Sequence, residues 1–277
     1  MYDLTVLEPE LAGTVFAGKL HYAPATSSTQ TDALAAARRG APHGSVFFAD
    51  EQTAGRGRGG HAWLSAAGHG LYVSVLLRLP LPAGRLLLLP LATGLAAAKA
   101  IHKVTGLAVD LRWPNDLLIG PLKVGGILVE ARNDSRESNR GAAVVAGIGI
   151  NVHQRSFPGD LATPATSLDL AAKRRVSRQQ LLVELLRALE VEAAELGDRD
   201  KAGQIPARVE AASSWVRGRS VEVHGPQPCT GTTAGLDANG FLRVETAGGV
   251  VTVQTGGIRE PVSSQLRLRS SSPEAVS

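Results

Sequence analysis

The chain has 277 residues, 44% apolar and 19% charged, the balance of a globular protein with one sizeable core and room for a smaller second unit. Its net charge of +4 is modest and its 29 basic residues, only six of them lysine, are dispersed, which excludes a clustered nucleic-acid footprint. Cys229 is the one cysteine and the seven histidines are scattered, which excludes an internal disulfide and any recognisable metal-ligand spacing.

The opening MYDLTVLEPE carries acids rather than a basic-then-apolar signal pattern, and no apolar run approaches the ~20 residues of a membrane span. A cytoplasmic protein without membrane contact is therefore expected. Ser27 to Asp32 followed by ALAAARRG reads as a helix, with Thr29 and Asp32 spaced as a capping box and Gly40 as its stop. GSVFFAD (44–50) fits a buried strand and delivers the chain into the glycine-rich run EQTAGRGRGGHAW. LYVSVLLRL (71–79) is a second strand, and residues 86–104 form a buried, alanine-rich helix. LAVDLRW (107–113), a tight Pro-Asn-Asp turn and KVGGILVEAR (123–132) come next. The polar stretch 133–141 connects that strand to AAVVAGIGINV (142–152) as a hairpin. Ser177 caps a long helix with Leu181, Leu185 and Leu189 on one stripe, and Gly197 ends it.

After about residue 213 the texture changes to short strands, RSVEVHG, CTGTTAGLD, FLRVET and VVTVQT, separated by turns. A small all-β barrel is expected there, with Cys229 a minor apolar residue in a strand. SSQLRLR reads as a last strand before a tail. The expected layout is an α+β body at 1–212, a mixed sheet with flanking helices, then a barrel at 213–268 and a tail at 269–277.

Gly55 to Gly60 satisfies G-x-G-x-x-G, but a dinucleotide turn needs a helix opening at the third glycine and an acid about 20 residues on. Neither is present, and no G-K-[ST] occurs in the chain. The glycines permit positive φ and close approach, and the forks of Arg56 and Arg58 match phosphate or carboxylate. The loop reads either as a clamp on an anion or as a solvated surface loop. Lys123 is a point cation opening an apolar strand beside Gly125 and Gly126, suited to an anion or to snorkelling outward. Arg112-Trp113-Pro114-Asn115-Asp116 crowds polar groups at a turn, and Gly147-Ile148-Gly149-Ile150-Asn151 ends an apolar strand in an amide.

Taken in order, Ser28-Thr29, Glu51 to Gly59, Trp63, Arg112 to Asp116, Lys123 to Glu130 and Gly147 to Asn151 resemble biotin protein ligases over roughly residues 20–260. The resemblance implies a class II synthetase-like catalytic core followed by an SH3-like barrel, here the monofunctional kind without a DNA-binding repressor domain. It implies ATP-dependent activation of biotin to biotinyl-5′-AMP, then transfer to a lysine ε-amine. The acceptor would be the biotin carboxyl carrier domain of an acyl-CoA carboxylase or pyruvate carboxylase. Lys123 would neutralise carboxylate and α-phosphate. Arg56 and Arg58 would grip the phosphates as the loop orders. Ser28, Thr29 and Gln52 would bind the ureido ring, with Gly55, Gly125 and Gly126 completing the biotin pocket. Asn115 and Asp116 would place Mg²⁺ and nucleotide, Asn151 would lie near the adenosine, and Trp63 and Trp113 would wall the site. Gln30 replaces the family's asparagine and Arg112 its lysine, while Gly60-His61 stands where further cations are usual. A lipoate or octanoate ligase, or a non-enzymatic binding module, is the alternative. A monomer or weak homodimer without DNA is expected.

Overall fold

A computed structural model describes residues 1–132 and 142–261. A short helix α1 (Leu4–Glu10) precedes strand β1 (Leu20–Thr26), helix α2 (Thr29–Arg38) and strand β2 (Ser45–Gln52). The glycine-rich loop leads to β3 (Gly70–Leu79), followed by α3 (Ala83–Leu86) and α4 (Leu89–Thr105). Next come the short β4 (Asp110–Arg112) and β5 (Asp116–Ile119), then the long β6 (Leu122–Arg132) and β7 (Ala142–Asn151). They form one seven-stranded sheet ordered β1-β2-β3-β7-β6-β5-β4. Only β1 and β2 run parallel, joined by the crossover helix α2.

Alternation along the central strands assigns the two faces. On β3 and β7, Val73, Val75, Leu77, Val144, Ala146, Ile148 and Ile150 enter the main core with α4. Leu76, Ala143 and Val145 point the other way and meet Ala33 and Ala37 of α2. The opposite face near β7's end therefore carries Gly147 and Gly149, which β3 and β6 match in register with Ser74, Tyr72, Leu128 and Gly126. Side chains fill that face under α2 and stop where the glycines begin. A hollow follows directly from the pattern.

The main core is closed by α5 (Leu168–Ala172), α6 (Arg178–Glu195) and α7 (Arg199–Ala211). Leu181, Leu185 and Leu189 of α6 are fully buried, and Ser177 caps the helix by accepting from Gln180 N. Glu192, fully enclosed, pairs with Lys99 of α4 at 2.7 Å and with Arg208 of α7. A buried carboxylate is tolerable only because both cations reach it.

The C-terminal strands are β8 (Arg217–His224), β9 (Cys229–Leu236), β10 (Leu242–Thr246), β11 (Gly249–Val253) and β12 (Gly257–Arg259). They form an open antiparallel sheet ordered β11-β10-β9-β8-β12. This corrects the expected barrel: among the described residues the edge strands β11 and β12 do not pair, so the sheet is not closed. Cys229 is a half-buried strand residue beside the core.

Other expectations change too. Ser28, not Thr29, is the N-cap of α2, and its side chain makes no cap bond. Asp32 accepts from Thr26 instead, and the Thr29 hydroxyl turns toward Gln52 and Ser74. Residues Ala83–Thr105 do have the length and hydropathy of a membrane span, contrary to the sequence reading. Packing explains this apolarity, because Leu89, Ala92, Ala96, Ala97 and Ile101 lie in the core, as in the central helix of a globular body. The connection 133–141 and the expected last strand and tail lie outside the described residues.

Candidate functional site

The glycine hollow opens into a cavity of about 990 Å³ that reaches from α2 across β3, β7 and β6 to the C-terminal sheet. Ser28, Thr29, Gln52, Arg56, Arg58, Trp63, Trp113, Asn115, Asp116, Lys123, Gly126 and Asn151 all line it. Gly55 and Gly125 do not. A Cβ on Gly55 would sit 2.5 Å from the Trp63 carbonyl oxygen, and one on Gly125 would sit 2.9 Å from the Gly149 carbonyl. Both glycines allow close backbone packing behind the wall rather than forming it.

One end of the cavity is a chain of uncharged polar groups. The Thr29 amide donates to Gln52 Oε1 at 2.9 Å, and the Thr29 and Ser74 hydroxyls are 2.9 Å apart. Ser74 donates to Gln30 Oε1 at 3.0 Å, and Gln52 Nε2 donates to Ser65 Oγ at 2.8 Å. Gln30 lies over Gly147, where a Cβ would be 2.5 Å from its Oε1. The Ser28 hydroxyl is buried with no partner among the described residues, and such a group favours a ligand that completes it. This end suits a small neutral polar ring. Sequence reasoning missed Ser74 and Ser65. The signal for Ser74 was there, a lone hydroxyl in the buried run LYVSVLLRL.

The other end is charged. Lys123 Nζ lies 2.5 Å from Asp116 Oδ1, while Arg112 donates through Nη2 to Asp116 Oδ2 at 2.5 Å and through Nε at 3.1 Å. Burial alone would push the Asp116 carboxyl up, but Lys123 and Arg112 outweigh it and hold it below the usual carboxylate range. Lys123 also sits 5.5 Å over the Trp63 ring. Three charges therefore balance to a net positive centre facing the cavity. Both Asp116 oxygens are engaged by cations, and no group of three metal-binding side chains occurs among the described residues. The expectation that Asp116 helps to place Mg²⁺ rests on the resemblance alone.

The glycine loop folds back on itself. Arg56 bridges to Ala62, Gly57 N donates to His61 O, and Gly59 and Gly60 take positive φ in a short turn. It opens only a single 3₁₀ turn at Arg58–Gly60 and no α-helix before returning to β3, so the dinucleotide pattern has no structural counterpart. Arg56 pairs with Glu130 of β6 at 3.2 Å. Arg58 donates to the Gly256 carbonyl and to Thr255 Oγ1, tying the loop to the C-terminal sheet. Burial lowers the pKa of Arg58 somewhat. Both guanidinium groups thus line the cavity with internal partners in place.

The remaining candidates are held by backbone. Asn115 Nδ2 donates to Ile127 O at 2.9 Å, and Asn151 Nδ2 to Thr166 O at 3.1 Å. Trp113 is buried and its indole donates to Gly240 O at 3.0 Å, a second link to the C-terminal sheet. Trp63 rests against Gly149, and its Nε1 has no partner among the described residues.

Residues 22–151 match the model of the biotin/lipoate A/B protein ligase family. The chain is 34% identical over 239 residues to a biotin–[acetyl-CoA-carboxylase] ligase of Mycobacterium tuberculosis, covering 84% of this chain and 85% of that protein. It is 39% identical over 173 residues to the bifunctional ligase/repressor BirA of Bacillus subtilis, covering 62% of this chain but about half, 52%, of that protein. A biotin protein ligase from Aquifex aeolicus, solved with biotin and ATP, superposes with a TM-score of 0.74 at 30% identity, covering 87% of this chain and 98% of that one.

Proposed function

The chain belongs to the biotin/lipoate A/B protein ligase family, and we propose that it is an ATP-dependent biotin ligase. It activates biotin as biotinyl-5′-AMP and passes the biotinyl group to a lysine of a carboxyl carrier domain. The observation that carries the reading is one cavity with two chemically different ends. A neutral hydrogen-bonding end at Thr29, Gln52 and Ser28 meets a cationic end at Lys123 and Arg112. A biotin molecule has the same polarity, a ureido ring at one end and a carboxylate at the other.

In this reading the carboxylate lies at Lys123, whose ammonium lets it approach the α-phosphate of ATP and stabilises the charge that develops as pyrophosphate leaves. Arg56 and Arg58 exchange Glu130 and the Gly256 carbonyl for phosphate oxygens, so the loop closes over the adenylate. Closure keeps water from a mixed anhydride that would otherwise hydrolyse. The carrier lysine amine then attacks the acyl carbon and AMP departs. Trp113 and Asn151 face the nucleotide. No step is assigned to Mg²⁺. A cytoplasmic location accords with the need for ATP and a single thiol. Incubation with ATP, Mg²⁺, biotin and a carrier domain tests the proposal by mass spectrometry. The carrier should gain one biotinyl group. A gain with lipoate and none with biotin would replace the proposal by the lipoate reading, and no gain with either would refute ligation.

A further inference from the structure

Behind the loop, outside the cavity, lies a buried ionic cluster that the chemistry above does not use. Arg178, the first residue of α6, places Nη1 2.8 Å from Asp50 Oδ1 and donates to the Gly70 carbonyl at 3.2 Å. Asp50 lies near the end of β2, two residues before Gln52, and Gly70 is the first residue of β3. These are the two stems of the glycine loop. The Asp50 carboxylate also accepts from the Tyr22 hydroxyl at 2.7 Å, and its carbonyl accepts from Gly68 N at 3.0 Å. The N-terminal ammonium stands 3.8 Å from Asp50 Oδ2, but it is largely exposed. The guanidinium lies 4.7 Å over the Tyr2 ring, with its side chain only 9% exposed. Tyr72, two residues after Gly70 in the strand, donates to the Ala66 carbonyl at 3.1 Å and so holds the returning arm of the loop.

We infer that Arg178 is a positioning residue for the proposed adenylation, acting through Asp50 and Gly70 to fix the spacing of the loop stems. Among the described residues its hydrogen-bond and ion-pair partners are Gly70 and Asp50, neither of which lines the cavity. It sets where Gln52 leaves β2 and where Ser65 and His69 return, and those three line the cavity. A single guanidinium with several donors can bind carboxylate and carbonyl together, whereas an ammonium on a flexible stem holds such a pair less rigidly. The inference rests on the ligase reading.

The consequence is kinetic partition. With the stems fixed, the closed loop retains the adenylate until the acceptor amine arrives. With them loose, water reaches the acyl carbon, AMP leaves and biotin is regenerated. The experiment compares the wild type with Arg178→Gln, Arg178→Lys and Asp50→Asn. It measures AMP released without a carrier against biotin transferred with one, alongside thermal midpoints. Arg178→Gln should raise the ratio of leaked AMP to transferred biotin by about tenfold, Asp50→Asn should do so less, and Arg178→Lys should restore part of the loss. An unchanged ratio in a folded Arg178→Gln protein, with only its midpoint lowered, overturns the assignment and leaves a purely structural pair. If that variant does not fold, the Asp50→Asn ratio decides in the same way. Absence of biotin-dependent AMP formation in the wild type would instead refute the ligase reading itself.

Discussion

Lys123 and Asp116 form an ion pair of 2.5 Å on the cavity wall, and Arg112 holds the other oxygen of the same carboxylate. The pair aims the ammonium without neutralising the site, because Arg112 supplies a second positive charge. Replacing Lys123 by Ala removes the cation aimed at the reacting anions. Adenylate formation should fall by about 10²–10³-fold or more, the magnitude of losing one preorganised charge stabiliser. Lys123→Arg should recover little, since a planar fork cannot take the place of a point charge. Single-turnover measurement of biotinyl-adenylate formation checks this, and near-normal rates in Lys123→Ala would remove Lys123 from the chemistry.

The same carboxylate sets an acid limit. The Asp116 pKa is lowered in the folded protein, with Lys123 and Arg112 overcoming the cost of burial. A lowered folded pKa contributes stability that is fully present above the unfolded value of about 4 and is lost as pH falls through the folded value. Thermal midpoints of wild type and Asp116→Asn should therefore differ most above about pH 5 and converge only as the pH falls below about 4 and through the lower folded value. A gap that never narrows on acidification below about pH 4, while both proteins still unfold cooperatively, would contradict the ion-pair description.

Arg58 links the loop to the C-terminal sheet through Gly256 and Thr255. Without ligands, Arg58→Ala should speed proteolysis between Thr53 and Gly70. In the wild type, biotin plus ATP should slow it, as the arginines take phosphate partners and the loop closes. Cleavage indifferent to ligands would remove the closing-loop step.

Gly149 is a further point of leverage. A Cβ there would lie 2.6 Å from Trp63 Nε1 and 2.7 Å from Cε2. Gly149→Ala should displace the indole at a cost of about 1–3 kcal/mol, shift tryptophan emission and weaken biotin binding. Gly60, whose Cβ would meet nothing within 4 Å but whose φ is +80°, serves as a control for backbone strain alone. An unchanged emission spectrum in Gly149→Ala would show that Trp63 does not rest on this glycine.

Much of this site could be read from residue order, because its parts are short segments whose chemistry is local. Lys123, Arg56, Arg58 and Thr29-Gln52 reach one cavity because β6, the loop and α2 converge on a sheet face stripped by Gly147 and Gly149. What escaped the sequence was long-range. Nothing local tells that Arg56 meets Glu130 or that Arg58 reaches β12's approach, 197 residues away in the chain. The strand β1 was missed because LHYAPAT contains Pro24 and is only half buried, a composition tolerable at a sheet edge. Helix α7 was missed because Pro206 lies inside it, where packing of Ile205 and Val209 overrides poor propensity. The barrel was overdrawn because a run of short strands and turns does not reveal whether its edges meet.

The most direct test of the central claim is biotin-dependent exchange of labelled pyrophosphate into ATP, which reads adenylation without any carrier. Label should enter ATP only when biotin is present, and Lys123→Ala should abolish the exchange while leaving the protein folded. Exchange that proceeds equally without biotin, or never occurs with it, would contradict biotin activation in this cavity.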